Sequence, residues 1–266
     1  MTGQDDDQDS LARAIAFRRA TQNRMATRLE PFEWGTVLTN SRFPLSYDVN
    51  FLRIERPDDR LTAGRLIETS DRLLGNLGMG HRFVRFDDAA AAQALAGRLT
   101  DRGWSVYPVV VMALRRGADR PAEQGLARRA TWPEVETAKE RWVRDDRLDT
   151  SEDRVQQILG RVRSLADATH LRHFAAFDGD EAVAFCDLYS DGRTAQIEDV
   201  WTREDHRGRG MARAVVLAAA DTALVEAHDL IFLIADDEDW PKELYGRLGF
   251  DRIGRVYELE HKPAQT

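Results

Sequence analysis

The residues best suited to chemistry lie in Val200-Trp201-Thr202-Arg203-Glu204-Asp205-His206-Arg207-Gly208-Arg209-Gly210-Met211-Ala212. A strand pattern ends there, a glycine-rich turn follows, and a long helical pattern begins. The first turn of a helix leaves backbone N–H groups unpaired and carries partial positive charge, so a pyrophosphate fits at that place. Gly208 and Gly210 let the backbone approach the anion with no side chain in the way. Arg207 and Arg209 add charge, Met211 opens the helix, and Ala212 keeps its surface small. The Gly-x-Gly-x-x-Gly spacing of a dinucleotide site is absent. A basic RNA-binding fragment is disfavoured, because one short copy sits in an acidic chain. Glu198 and Asp199 precede the turn on the strand. Strict alternation sends their side chains to opposite faces, so at most one faces a substrate. A charged pair on a sheet surface explains them equally well. Downstream, Leu244-Tyr245-Gly246-Arg247-Leu248-Gly249-Phe250 sets a phenol on a short helix closed by glycine and an aromatic ring. Alone, Tyr245 would read as a packed helix residue with its hydroxyl at the edge.

Such residues need a frame. The pattern gives a strand at 126–130, helices at 133–145 and 151–165, and strands at 171–177 and 182–190 around Asp178-Gly179-Asp180. Residues 195–202 form the strand into the turn, and a helix leaves it as far as about 227. The unbroken apolar run 230–235 reads as a strand covered on both faces. A helix at 241–248 follows, with Pro241 in its first turn and Asp239 as its cap. The last strand is 251–259. The N-terminal half shows a similar rhythm: a helix at 10–27 behind a frayed polar end, strands at 34–38 and 47–54, and a helix at 61–77. A strand at 81–86, a helix at 89–101 and a buried strand at 106–114 complete it. Helix, glycine, aromatic residue and closing strand recur at Gly103-Trp104 and Gly249-Phe250. Residues 115–125 lack periodicity. The expected organisation is a first domain at 1–117, a linker at 118–125 and a second domain at 126–266. The fold class is α/β (α+β), with two half-domains, each a central mixed β-sheet flanked by helices.

Composition narrows the function. The chain has 266 residues, 42% apolar and 32% charged, with a formal net charge of -8. It can bury a core, which argues against a disordered chain. The charge speaks against nucleic acid and favours cationic small molecules or basic peptides. No apolar run approaches the roughly 18 residues of a membrane span. Asp5, Asp6 and Asp7 stand where a secretory leader would be positive. Cys186 is the single cysteine, which excludes a disulfide scaffold and fits a reducing cytoplasm. The histidines show no metal spacing, so no metal is expected. His206 reads as an exposed loop residue.

The turn spacing Arg207-x-x-Gly210-x-Ala212 and the helix of Tyr245, in that order with a buried strand between them, resemble the acetyl-coenzyme A signature of the GNAT superfamily of N-acetyltransferases. The resemblance covers about 126–261. It implies that Arg207 to Ala212 cradle the coenzyme pyrophosphate and that the backbone of Val200, Trp201 and Thr202 pairs with the pantetheine arm. Acetyl-CoA is then the cosubstrate, and an amine attacks the thioester directly. A lysine-like amine with a pKa of about 10.4 is neutral to only about one part in a thousand at pH 7.4, a cost of about 4 kcal/mol. The tetrahedral oxyanion needs a donor, which a backbone N–H near Val200 can supply. Tyr245 is assigned to protonate the departing thiolate. Glu198 is the first choice of base, narrowly ahead of Asp199 and of a water relay.

The chain departs from the family pattern in two places. Glu238 stands where many members carry asparagine, and no final hairpin partner follows the last strand. The N-terminal half is expected to supply a substitute edge. That half resembles the degenerate first half of tandem GNAT proteins of the mycothiol synthase type, with Glu55-Arg-Pro-Asp-Asp-Arg-Leu61 in place of the phosphate turn. Tyr47, Asp48 and Asn50 read as turn and edge residues, with a reach into the substrate cleft as the alternative. The expected function is acetyl transfer from acetyl-CoA to a primary amine of a small molecule or peptide. The alternative is a non-catalytic acyl-CoA-sensing or partner-binding protein of the same fold. No nucleic-acid or membrane partner is expected, and a homodimer is left open.

Overall fold

A computed structural model describes residues 2–145 and 151–262. In chain order the first elements are helix α1 (Thr2–Met25), strands β1 (Arg28–Phe32), β2 (Gly35–Thr39) and β3 (Phe51–Ile54), and helix α2 (Ala63–Ser70). Strand β4 (Arg82–Phe86), helix α3 (Ala89–Thr100) and strand β5 (Ser105–Leu114) follow. Then come β6 (Ala127–Ala130), α4 (Trp132–Asp145), α5 (Glu152–Ala168), β7 (His170–Asp178), β8 (Glu181–Asp191) and β9 (Thr194–Thr202). The chain closes with α6 (Met211–Val225), β10 (Leu230–Asp236), α7 (Pro241–Arg247) and β11 (Phe250–His261).

The described residues form two compact units, each a mixed sheet with helices. One draws on 2–17, 111–235 and 239–254, the other on 18–110, 236–238 and 255–262. In the first, the strands run in the order β10-β9-β8-β7-β6, with β10 parallel to β9 and the rest antiparallel. Phe185 meets Trp142 of α4 edge-on at 6.0 Å, while the Cys186 thiol donates to the Val215 carbonyl of α6 at 3.2 Å. Neighbours on a strand face opposite ways, so α4 covers one side of this sheet and α6 the other. Helix α5 buries Val155, Ile158, Leu159, Val162 and Leu165, the i, i+3, i+4 spacing of a helix facing a core.

In the second unit, β1-β2-β3 are antiparallel, β3 and β4 are parallel, and the C-terminal part of β11 joins β4 antiparallel. Tyr257 to His261 pair with Phe86 back to Arg82. A strand of the N-terminal half thus provides the edge that a final hairpin would otherwise fill. Trp34, Leu52, Ile54, Leu66, Val84, Phe86, Leu99 and Leu259 form the centre of this unit's core.

Several elements differ from the sequence expectation. Helix α1 starts at Thr2, so the polar end is helical rather than frayed. Strand β1 was not expected, because its residues are largely exposed and show little hydrophobic alternation. Residues 47–49 form a 3-10 turn instead of a strand. There Asn50 is fully buried: its Oδ1 accepts from the Asn40 amide at 2.9 Å, and its Nδ2 donates to the Phe43 and Ser46 carbonyls. Tyr47 stacks on His81 at 3.7 Å. Among residues 115–125, Arg115 donates its amide to Gly249 O at 2.9 Å and Asp119 its amide to Arg247 O at 2.8 Å. That stretch is aperiodic yet anchored.

Candidate active site

A cleft of about 650 Å³ opens among the end of β9, the start of α6 and helix α7, all within the first unit. Its floor at one side is the turn after β9. Arg207 Nε donates back to the Thr202 carbonyl at 3.3 Å, tying turn to strand. Gly208 and Gly210 have φ of 77° and 80°, a left-handed backbone that a side chain would strain. Gly210 is the N-cap of α6, and no side chain caps that helix. Its first amides therefore have no acceptor within the helix and remain available to an anion. Val200, Trp201, Thr202, Arg207, Gly208, Gly210, Met211 and Ala212 line the cleft together with Tyr245. Arg209 is exposed on the turn and does not line it.

One further observation suits a bound chain with amide and carbonyl groups. Thr202 Oγ1 is buried and has no hydrogen-bond partner among the described residues. An unpaired buried hydroxyl costs about 1–3 kcal/mol unless a ligand or water meets it. His206 also lines the cleft, and it is buried rather than exposed. Its Nδ1 lies 2.8 Å from Asp205 Oδ1 and its Nε2 lies 3.0 Å from Asp178 Oδ2. Hydrogen bonds to Asp205 and then Asp178 raise its pKa above the usual imidazole value.

Glu198 and Asp199 do not lie in the cleft wall, and the strand does not alternate between them. Phe185 pairs with Trp201 but Asp187 pairs with Glu198, so β9 carries one extra residue here. Asp199 takes up that residue at φ 54°, a left-handed conformation that Asp tolerates better than most side chains. Tyr189 and Gln196 are direct cross-strand partners and so share a face. Tyr189 Oη donates to Asp199 Oδ2 at 3.1 Å, and Gln196 Nε2 donates to Glu198 Oε1. The bulge thus turns both carboxylates toward one side of the sheet. Burial raises the Asp199 carboxyl pKa, with the neighbouring charge of Asp187 adding to it and Lys139 opposing.

Tyr245 is buried, in the last turn of α7. Burial first, then the Glu198 carboxylate and the Cys186 sulfur, push its phenol above the usual range, so it keeps its proton at neutral pH. Burial likewise raises the Cys186 thiol beside it.

Sequence reasoning missed Arg120, Trp142, Trp240 and Asp145 in the cleft wall. Arg120 belongs to the aperiodic stretch, whose anchoring left no pattern to read. Trp142 falls within the helical pattern at 133–145, where packing alone accounts for an aromatic residue. Asp239 caps no helix: the N-cap of α7 is Trp240, and the Asp239 carboxylate accepts from the Trp240 amide at 2.7 Å. Among the described residues, no group of three or more His, Cys, Asp or Glu is placed to hold a metal ion. No described helix is long and apolar enough to cross a membrane.

Residues 130–250 match the Acetyltransferase (GNAT) family. That segment contains the whole strand, turn and Tyr245 helix just described. The chain carries a GNAT acetyltransferase domain. Among solved structures, a GCN5-related N-acetyltransferase from Kribbella flavida is similar at 15% identity and TM-score 0.67, covering 96% of each chain. A conserved protein of unknown function from Staphylococcus epidermidis is similar at 14% identity and TM-score 0.66, over 89% of this chain and 94% of that one. A tandem GNAT protein from the clavulanic acid biosynthesis pathway is similar at 13% identity and TM-score 0.53, over 80% and 75%. These likenesses concern the fold. No curated protein matches the sequence.

Proposed function

We propose that this GNAT domain is an acetyl-CoA-dependent N-acetyltransferase acting on a primary amine of a small molecule or peptide. The observation that carries the reading is that the Val200–Thr202 segment of β9, the uncapped start of α6 and Tyr245 share one cleft. Residues Arg207 to Ala212 hold the pyrophosphate, with Arg209 adding charge from the rim. The backbone of Val200, Trp201 and Thr202 takes the pantetheine arm, and Thr202 Oγ1 gains a partner. The neutral amine nitrogen forms a bond to the thioester carbonyl carbon while its proton passes to Glu198, with Asp199 or a water relay that needs no dedicated base as the alternatives. The Val200 amide donates to the oxygen that gathers charge. The carbon–sulfur bond then breaks, and Tyr245 gives its proton to sulfur. The net charge of -8 supports a cationic acceptor.

The tandem arrangement is part of the same proposal: a degenerate GNAT-like domain at 1–117, a linker at 118–125 and the acetyltransferase domain at 126–266, working in the cytoplasm. The fold likeness to a tandem GNAT protein supports it. The first test is calorimetric titration of acetyl-CoA into the wild type and into Gly210→Trp, with folding checked by circular dichroism. One-to-one binding that the substitution abolishes is expected, followed by turnover in a panel of primary amines. Absence of binding to well-folded wild type would overturn the transferase reading.

A further inference from the structure

Behind the cleft strand lies a row of charge of which the proposed chemistry uses only Glu198 directly. His173, Asp187 and Glu198 stand in register across β7, β8 and β9. His173 Nδ1 is 2.7 Å from Asp187 Oδ1. From α4, Lys139 Nζ donates to Asp187 Oδ2 at 2.8 Å, and both side chains are 0% exposed. The same Nζ lies 4.2 Å from the centre of the Phe185 ring, and that ring lies 5.5 Å from Trp201. Phe185 and Asp187 are the two β8 residues that flank the extra residue of β9. One lysine therefore grips the partner strand on both sides of the bulge.

Burying two charges is costly, and an apolar pair of similar volume is often as stable or more so. Burial alone would raise the Asp187 carboxyl pKa, yet Lys139 and His173 hold it below the usual range. The choice of lysine is also informative, since the chain has only three and uses arginine elsewhere. Its compact ammonium reaches the Asp187 carboxylate and the Phe185 ring at once. The charged groups acting on Asp199 are Lys139 of α4, Arg161 of α5 and Asp187 of β8, and the neutral Tyr189 hydroxyl donates to it.

We propose that Lys139 is a positioning residue for the coenzyme: by clamping Phe185 and Asp187, it holds the β9 bulge that presents Val200, Trp201 and Thr202 to the cleft. The inference rests on reading that cleft as the acetyl-CoA site. The test removes both charges at once, in Lys139→Met with Asp187→Asn, so that no lone charge is left buried. Two measurements are made: acetyl-CoA affinity by calorimetry, and hydrogen exchange at the Val200, Trp201 and Thr202 amides. The folded double variant should bind at least about tenfold more weakly, because small displacements of a positioned group carry losses of that size or larger. The three amides should lose protection. A control, Arg172→Met with Glu226→Gln, removes another ion pair in the same unit, a buried arginine with a solvent-exposed glutamate (2.5 Å), and should leave acetyl-CoA affinity unchanged.

Wild-type affinity and exchange in the double variant would overturn the proposal, as would an equal loss in the control. If the wild type itself binds no acetyl-CoA, the coenzyme reading fails, and the exchange measurement still decides whether Lys139 holds the bulge. Should the double variant not fold, Phe185→Leu tests the same clamp from the ring side with the same readouts.

Discussion

The phenol of Tyr245 and the imidazole of His206 stand in one cleft, both with a raised pKa, the first by burial and the second by its carboxylate partners, and each can be tested alone. Tyr245 keeps its proton because burial and Glu198 disfavour a phenolate. Removing the hydroxyl should leave coenzyme contacts untouched and deprive the leaving sulfur of its proton. Tyr245→Phe is therefore expected to lower kcat by roughly a hundredfold with KM for acetyl-CoA within about twofold. An unchanged kcat would remove Tyr245 from the proton-donor role. His206 gains two carboxylate partners on folding, so its pKa is raised above the ordinary value of about 6.5. The stabilisation is fully present below that ordinary value and is lost as pH rises through the raised one. Melting temperatures of the wild type and His206→Gln should therefore differ most below the ordinary value of about 6.5 and converge as pH rises through the raised one. A gap that widens with pH would contradict the charged-imidazole account. Single residues were also where the sequence spoke most clearly: the glycines at 208 and 210 stand in the turn before α6, and their left-handed backbone is what the structure adds.

At the scale of elements, regular periodicity was legible and its interruptions were not. The apolar spacing of α5, the continuous run of β10 and the strand–turn–helix at 194–225 follow from patterns of 3.6 and 2 that burial imposes on side chains. The bulge in β9 has no such signature. Its extra residue is fixed by pairing with β8, a non-local fact, and alternation counted along β9 alone assigns Glu198 and Asp199 to opposite faces. The same blindness applies to residues 115–125. Nothing in their composition reveals that the Gly249 backbone runs against Arg116, where a Cβ would sit 2.0 Å from the Arg116 carbonyl oxygen. Glycine in the Gly249-Phe250 pair is thus required by a close approach as well as by its φ of 97°. The family motif and the steric need coincide at that residue.

At the scale of the molecule, the acetyltransferase unit reaches beyond the segment that its motifs mark. Residues 2–17 belong to it, although they lie more than a hundred positions before the family match at 130–250. Phe17 meets Phe232 of β10 edge-on at 5.7 Å, Ala14 is fully buried, and Leu11 fills the space above Gly254. Arg13 is 2.5 Å from Asp229, and Arg115 donates to Ser10 Oγ at 2.8 Å. This segment explains why β10 is apolar without alternation, since α1 covers a side of the strand that would otherwise face water. Its exposed ion pairs contribute little, while burying Phe17 alone is worth about 1.5–3 kcal/mol. A chain beginning at Arg18 should therefore lose several kcal/mol, of the same order as the whole stability of many domains. Hydrogen exchange should quicken along β10 first, and acetyl-CoA binding should weaken only as the unit opens. A truncated chain with native protection at Phe232 would mean that the motif-bearing segment is self-sufficient and that α1 merely rests on it. Loss of protection spreading from β10 into β9 would instead make the first helix part of the support of the cleft.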